Sequence, residues 1–156
     1  MSVQKGTVVE IHGMKATVML HDEGERVRCR PLRDRRQLAV GDRVEVTTGR
    51  HGGEVSRLSE RSGCLWRPAE RGKRLMAAHV TRVCVIVSVS PPPSAGLIDR
   101  FLVAAEAADI DVVLVLNKTD ISEGLPAAEA ALAPYVELGY MVINTSAETG
   151  AGLDTL

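Results

Sequence analysis

The residues with the most chemical content stand together at Asn117, Lys118, Thr119 and Asp120, directly after the apolar run 112–116. Their types suit the reading of a purine. Guanine presents N7 and O6 as acceptors, and N1–H and the N2 amino group as donors. The Asp120 carboxylate can accept from N1–H and N2–H together in a planar pair. Adenine lacks both donors and would leave that carboxylate desolvated and unpaired, a penalty worth roughly 10⁴-fold in selectivity at its upper end. Asn117 can offer its amide N–H to N7 and brace a neighbouring loop. Lys118 can lay its alkyl stem along the base and ribose. Thr119, in the variable slot of N-K-x-D, is expected only to cap the turn. No phosphate-cradling G-x-x-x-x-G-K-[ST] occurs in the 156 residues. No G-x-G-x-x-G follows a strand either, which speaks against a Rossmann-like enzyme fragment.

Such a loop needs rigid elements to hold it. "RVCVIVSV" (82–89) is a near-continuous apolar run, the pattern of a strand buried on both faces. Ser90 and three prolines stop it. Residues 94–110 place Leu97, Ile98, Phe101, Leu102 and Ala105 at helical spacing, with Ser94 as N-cap. "DVVLVL" (111–116) is a second buried strand. Residues 125–139 are helical in composition, although Pro134 could kink or split them. "YMVINTS" (140–146) is a third strand. Strand–helix–strand–helix–strand implies parallel pairing through right-handed crossovers. It puts N-K-T-D at the carboxyl end of a strand, where α/β sheets bind ligands.

The N-terminal half has a different period. Segments 6–11, 15–20, 25–30, 42–47 and 53–58 alternate apolar and polar residues between Gly- and Asp-rich turns. Five short strands in about sixty residues suit a small closed barrel, with an OB-fold leading and an SH3-like barrel giving a similar pattern. Arg26, Arg28 and Arg30 share one face of their strand, while Val27 and Cys29 point inward. Arg33, Arg35 and Arg36 follow in the next loop. These six guanidinium groups could track a phosphate backbone, or form a solvated face. No Phe, Tyr or Trp lies in residues 1–65, so the barrel suits backbone or shape recognition of folded RNA better than base stacking.

The segment 60–78 reads as a linker with some packing, interrupted by Gly63, Pro68 and Gly72, and Trp66 is expected to pack it against a domain. Residues 1–74 hold 16 of the 19 Lys and Arg and 10 of the 20 Asp and Glu, a net charge of +6; residues 75–156 hold 3 and 10, a net of −7. The division predicts three parts: a barrel over 1–59, a linker over 60–78 and an incomplete α/β domain over 79–156, with an anionic partner for the first. Cys29, Cys64 and Cys84 are odd in number and widely spaced. That indicates no disulfide framework, no metal knuckle and a reducing, cytoplasmic compartment. No apolar run approaches the ~20 residues of a membrane span, so no membrane is expected as partner.

With "GTVVEI", "GDRVEV", "RPAERGKRLMAAHV", "VSVSPPPSAGLIDRFLVAAEAA", "VLNKTD" and "SAETGAGLDTL" in this order, the chain resembles the circularly permuted GTPases. Within them it resembles the ribosome small-subunit-dependent GTPase A family. The likeness implies a fold of an OB-fold β-barrel followed by a partial α/β GTPase domain with parallel strands. It implies that Ser146 and Ala147 form a second guanine loop beside Asn117, Lys118 and Asp120, with backbone N–H groups facing O6. It also implies hydrolysis of GTP to GDP with Mg²⁺, a barrel bound to small-subunit rRNA, and action late in the maturation of the 30S subunit. Members continue into a phosphate loop and a zinc-binding C-terminal domain, so this chain is expected to be a truncated member, inactive alone and without catalytic or metal residues of its own. Two positions depart from the family pattern: Glu148 stands where Lys is frequent, and His79 where Asn is frequent. The competing expectation is a stand-alone RNA-binding barrel on a non-catalytic α/β scaffold.

Overall fold

The computed structural model describes residues 2–22, 24–30, 38–49, 52–70 and 72–156. The chain divides into two compact units, Met1–Val80 and Thr81–Leu156.

The first unit is built on β1 (Val3–His12), β2 (Lys15–Leu20), β3 (Arg26–Arg30), β4 (Arg43–Gly49) and β5 (Gly52–Leu58). They close into a barrel in the order β1-β2-β3-β5-β4. The pairing of β3 with β5 is parallel and all the others are antiparallel. That order with its single parallel seam is the OB-fold topology, which resolves the choice between barrels. Alternation along the strands sends Val8, Ala16, Val18, Leu20, Cys29, Val44, Val46 and Val55 inward, where they form one buried cluster. Burial pushes the Cys29 thiol up to about 11.

The segment read as a linker carries a small sheet of its own: β6 (Leu65–Pro68) pairs antiparallel with β7 (Lys73–Ala77). Two features fix it to the barrel. Gly41, at φ +91°, lies so close to the Ala78 carbonyl that a Cβ would sit 2.0 Å from its oxygen, and the Ala78 N–H donates to Val40 O at 2.9 Å. Asp42, fully buried, accepts from Arg61 Nε at 2.7 Å, from Arg61 Nη2 at 2.8 Å and from the Ala39 amide at 2.7 Å. The hydrogen bonds to Asp42 raise the Arg61 pKa further. His79 occupies the left-handed region at φ +56°. Asn and His are both enriched there, which gives a physical reason for the exchange between them. Its N–H donates to Ser62 O at 2.7 Å.

The second unit runs β8 (Arg82–Ser88), α1 (Ala95–Glu106), β9 (Asp111–Asn117), α2 (Leu125–Glu137), β10 (Met141–Asn144) and a short 3-10 turn at Leu153–Thr155. Its sheet is parallel in the order β10-β9-β8. Val85, Val87, Leu114 and Leu116 of the sheet pack with Ile98 and Leu102 of α1 and with Ala128, Leu132 and Tyr135 of α2. Both crossovers step across the sheet in one direction, so right-handedness lays both helices on the same face. This corrects the expectation of two-sided burial for β8: Cys84 and Ile86 are exposed, Ile86 by 65%. Only the central strand β9 buries residues of both parities, Val113 and Val115 as well as Leu114 and Leu116. Ser94 takes the N-cap position of α1 without a side-chain cap bond. Pro134 lies inside α2, which continues unsplit to Glu137.

Candidate functional site

β9 ends at Asn117 and β10 at Asn144, neighbours in one parallel register. The two loops that follow are therefore delivered side by side at the carboxyl edge of the sheet. Lys118 turns the first with φ +64°, a left-handed conformation costing a residue with a Cβ about 1–3 kcal/mol. Ile121 N–H closes the turn on Lys118 O at 3.0 Å. The Lys118 ammonium donates to the Ser90 carbonyl at 2.7 Å, so its stem is anchored at its far end.

The loops are tied to each other at several points. Thr145 N–H donates to Leu116 O at 2.8 Å. Thr119 donates twice to Thr145 O, from its N–H at 3.1 Å and its hydroxyl at 3.0 Å. Ala147 N–H donates to Asn117 Oδ1 at 3.0 Å. Ser146, buried, donates its hydroxyl to Asp120 Oδ1 at 2.5 Å and accepts from Thr149 N–H at 3.2 Å. The structure thus brings Asn117, Asp120, Ser146 and Ala147 into one hydrogen-bonded cluster, with Lys118 flanking it. Asp120 is exposed and its Oδ2 accepts no bond within the described residues. Asn117 accepts with its carbonyl oxygen from the second loop. Ala147 N–H, expected to face O6, is already given to Asn117, and Ser146 N–H to Ala151 O at 2.9 Å. An incoming O6 would share or replace those acceptors. Glu148 is exposed on the adjoining turn.

The second set of candidate residues lies in the first unit. Arg26, Arg28 and Arg30 are exposed on β3, with Cys29 buried between the last two. Opposite them on β2 stand Met19, Thr17 and, one step on, Lys15. Lys15, Arg28 and Arg30 line one groove with Thr47, Thr48 and Gly52–Glu54. This is the face of strands two and three on which OB-folds bind oligonucleotides. Arg33, Arg35 and Arg36 lie outside the described residues. A carboxylate interrupts the basic face: Glu10 bonds His12 Nε2 at 2.7 Å and Thr17 Oγ1 at 3.1 Å, and the bond to His12 is the main cause holding its pKa below the usual value. Lys15 was missed in sequence because its strand carries one charge only; its register against β3 reveals it. Arg67 and Arg74 face each other across β6 and β7, and Arg74 borders a cleft with Met14 and Lys15. Among the described residues no three His, Cys, Asp or Glu side chains meet in a way that could hold a metal ion. No helix among them is long and apolar enough to cross a membrane.

An OB-fold barrel followed by a parallel sheet with N-K-x-D and S-A at adjacent strand ends is an arrangement of the GTPase class. Residues 58–156 match the family model described as RsgA GTPase. The small ribosomal subunit biogenesis GTPase RsgA of Burkholderia mallei (strain ATCC 23344) is 35% identical over 146 residues, 93% of this chain and 46% of that relative. Its counterpart in Azotobacter vinelandii is 39% identical over 161 residues, 98% of this chain and 47% of that relative. The chain thus spans about half the length of the curated relatives it matches. The crystal structure of YjeQ from Thermotoga maritima superposes with a TM-score of 0.77 at 30% identity, over 99% of this chain and 55% of that one. YloQ, a circularly permuted GTPase, shares the fold with a TM-score of 0.69 at 24% identity, over 94% of this chain and 53% of its own. The chain belongs to the RsgA GTPase family.

Proposed function

We propose that this chain supplies the guanine-reading and RNA-contacting parts of a cytoplasmic GTP hydrolase that acts in late maturation of the 30S ribosomal subunit. The observation that supports it best is the cluster at the strand ends, in which Asp120 Oδ2 and the Asn117 amide take no bond among the described residues. Asp120 offers Oδ2, with Oδ1 shared with Ser146, to N1–H and N2–H. Asn117 offers its amide to N7, and the Lys118 stem lines the base. Adenine would present a donor where the site offers donors, and no donors where the site offers a carboxylate.

Arg26, Arg28 and Arg30, with Arg33, Arg35 and Arg36 that follow in sequence, would pair with small-subunit rRNA phosphates. Hydrolysis to GDP and phosphate would draw on a phosphate loop and Mg²⁺, which neutralises charge on the phosphate oxygens. Among the described residues no three His, Cys, Asp or Glu side chains meet to hold an ion, so no residue is assigned to Mg²⁺ or to the Zn²⁺ expected of the family. We further propose that the chain alone does not turn over GTP.

The test is an NMR titration of the whole chain with GDP and ADP. Shifts confined to residues 117–120 and 144–149 with GDP, and absent with ADP, support the reading. Equal response to both nucleotides, or none to either, favours an RNA-binding module whose α/β unit is scaffold only.

A further inference from the structure

Asp120, on which the proposed guanine selectivity rests, is exposed. Its carboxylate is placed by its hydrogen bond from Ser146 and by the backbone of the turn it sits on. That turn is pinned by the residue just before it. Thr119, half-buried, aims two donors of one residue at a single acceptor, Thr145 O: its N–H at 3.1 Å and its hydroxyl at 3.0 Å. Thr145 is itself held by the sheet. It is buried, its N–H is bonded to Leu116 O at 2.8 Å, and its hydroxyl lies 3.4 Å from Asn117 Oδ1. Asp120 and Ser146 are the next residues along the chain on either side of this clamp. Whatever sets the gap between Thr119 and Thr145 therefore sets the reach of Ser146 Oγ to Asp120 Oδ1, 2.5 Å here.

We propose that Thr119 is a positioning residue for base discrimination, not a mere turn cap, and that it acts by locking the two base-reading loops in register. The inference rests on the guanine-reading function proposed above. A β-branched side chain is stiff about χ1, so the hydroxyl is held toward its acceptor at low entropic cost. The chemistry makes a separable prediction. A loosened turn leaves the ribose, phosphates and Lys118 stem largely untouched, but it blurs the planar pair that the carboxylate makes with N1–H and N2–H. Inosine lacks the N2 amino group, so the advantage of GDP over IDP reports that pair directly.

The experiment titrates the whole chain with GDP and with IDP, followed by ¹H–¹⁵N spectra, for wild type, Thr119→Val and Thr119→Ser. Valine keeps the shape and the backbone bond and removes only the hydroxyl. The wild type is expected to favour GDP by about tenfold. Thr119→Val is expected to cut that preference by about threefold or more, and Thr119→Ser to retain it. The proposal is overturned if Thr119→Val keeps the wild-type GDP/IDP ratio, if it weakens both nucleotides equally, or if Thr119→Ser falls as far as valine. A wild type that binds GDP and ADP equally well would sink the guanine reading itself, a different failure seen before any variant is made.

Discussion

Replacing Asp42 by alanine tests how the segment leading from the barrel into β6 is held. The carboxylate is fully buried and, among the described residues, accepts two hydrogen bonds from Arg61 and one from the Ala39 amide, all between 2.7 and 2.8 Å. Its loss removes the two bonds from Arg61, whose side chain is 22% exposed, and takes the acceptor from the buried Ala39 N–H. Breaking one side of a buried pair costs about 3–5 kcal/mol, whereas replacing both partners by apolar groups is often close to neutral. Asp42→Ala is therefore expected to destabilise the first unit by about 3–5 kcal/mol, Arg61→Met by a similar amount, and the double variant by far less than their sum. Urea unfolding followed by Trp66 fluorescence suits the measurement, because the single tryptophan lies on β6 in this unit. A cost below about 1 kcal/mol for Asp42→Ala, or additivity of the two single variants, would refute the reasoning.

Ser146→Ala removes the donor to Asp120 and the acceptor for Thr149 N–H, and is expected to weaken GDP binding on the order of tenfold, measured by the same NMR titration. GDP itself should bind the whole chain with a dissociation constant of about a millimolar, because phosphate contacts supply most nucleotide affinity; micromolar binding by calorimetry would contradict that. Converting Arg26, Arg28 and Arg30 to serine should flatten the salt dependence of binding to 30S subunits or rRNA. The expected change is up to ~0.9 log units for each phosphate no longer neutralised, on the duplex-DNA scale, and an unchanged slope places the RNA on another face. Cys29, with its pKa raised to about 11 by burial, should resist iodoacetamide at pH 8 while exposed Cys84 reacts, as read by mass spectrometry. Because the folded thiol holds its proton more tightly, its contribution to stability is intact at neutral pH and is lost as pH rises through that value.

The barrel and the strand ends were legible because their signals are local. Period-two alternation placed β2 at residues 15–20, as observed, and an apolar run broken by Asn117 marked the site. What escaped notice depends on the fold. Gly63, Pro68 and Gly72 mask the β6–β7 hairpin, since turn residues read the same in a linker. Asp42 and Arg61 are 19 positions apart in polar surroundings, and only closure of the barrel brings them together. The composition of β8 matches that of β9, yet its one-sided burial follows from the direction of the two crossovers. The bond of Thr119 was invisible because its partner is a backbone carbonyl one strand away.

Asp120 is where guanine reading is tested most directly. In the Asp120→Asn variant the side-chain amide can donate to the O2 of xanthine where the carboxylate accepted from the guanine amino group. Titration of both proteins with GDP and XDP should show the wild type preferring GDP and the variant preferring XDP. A variant that still prefers GDP as strongly as the wild type would mean that Asp120 does not read the base.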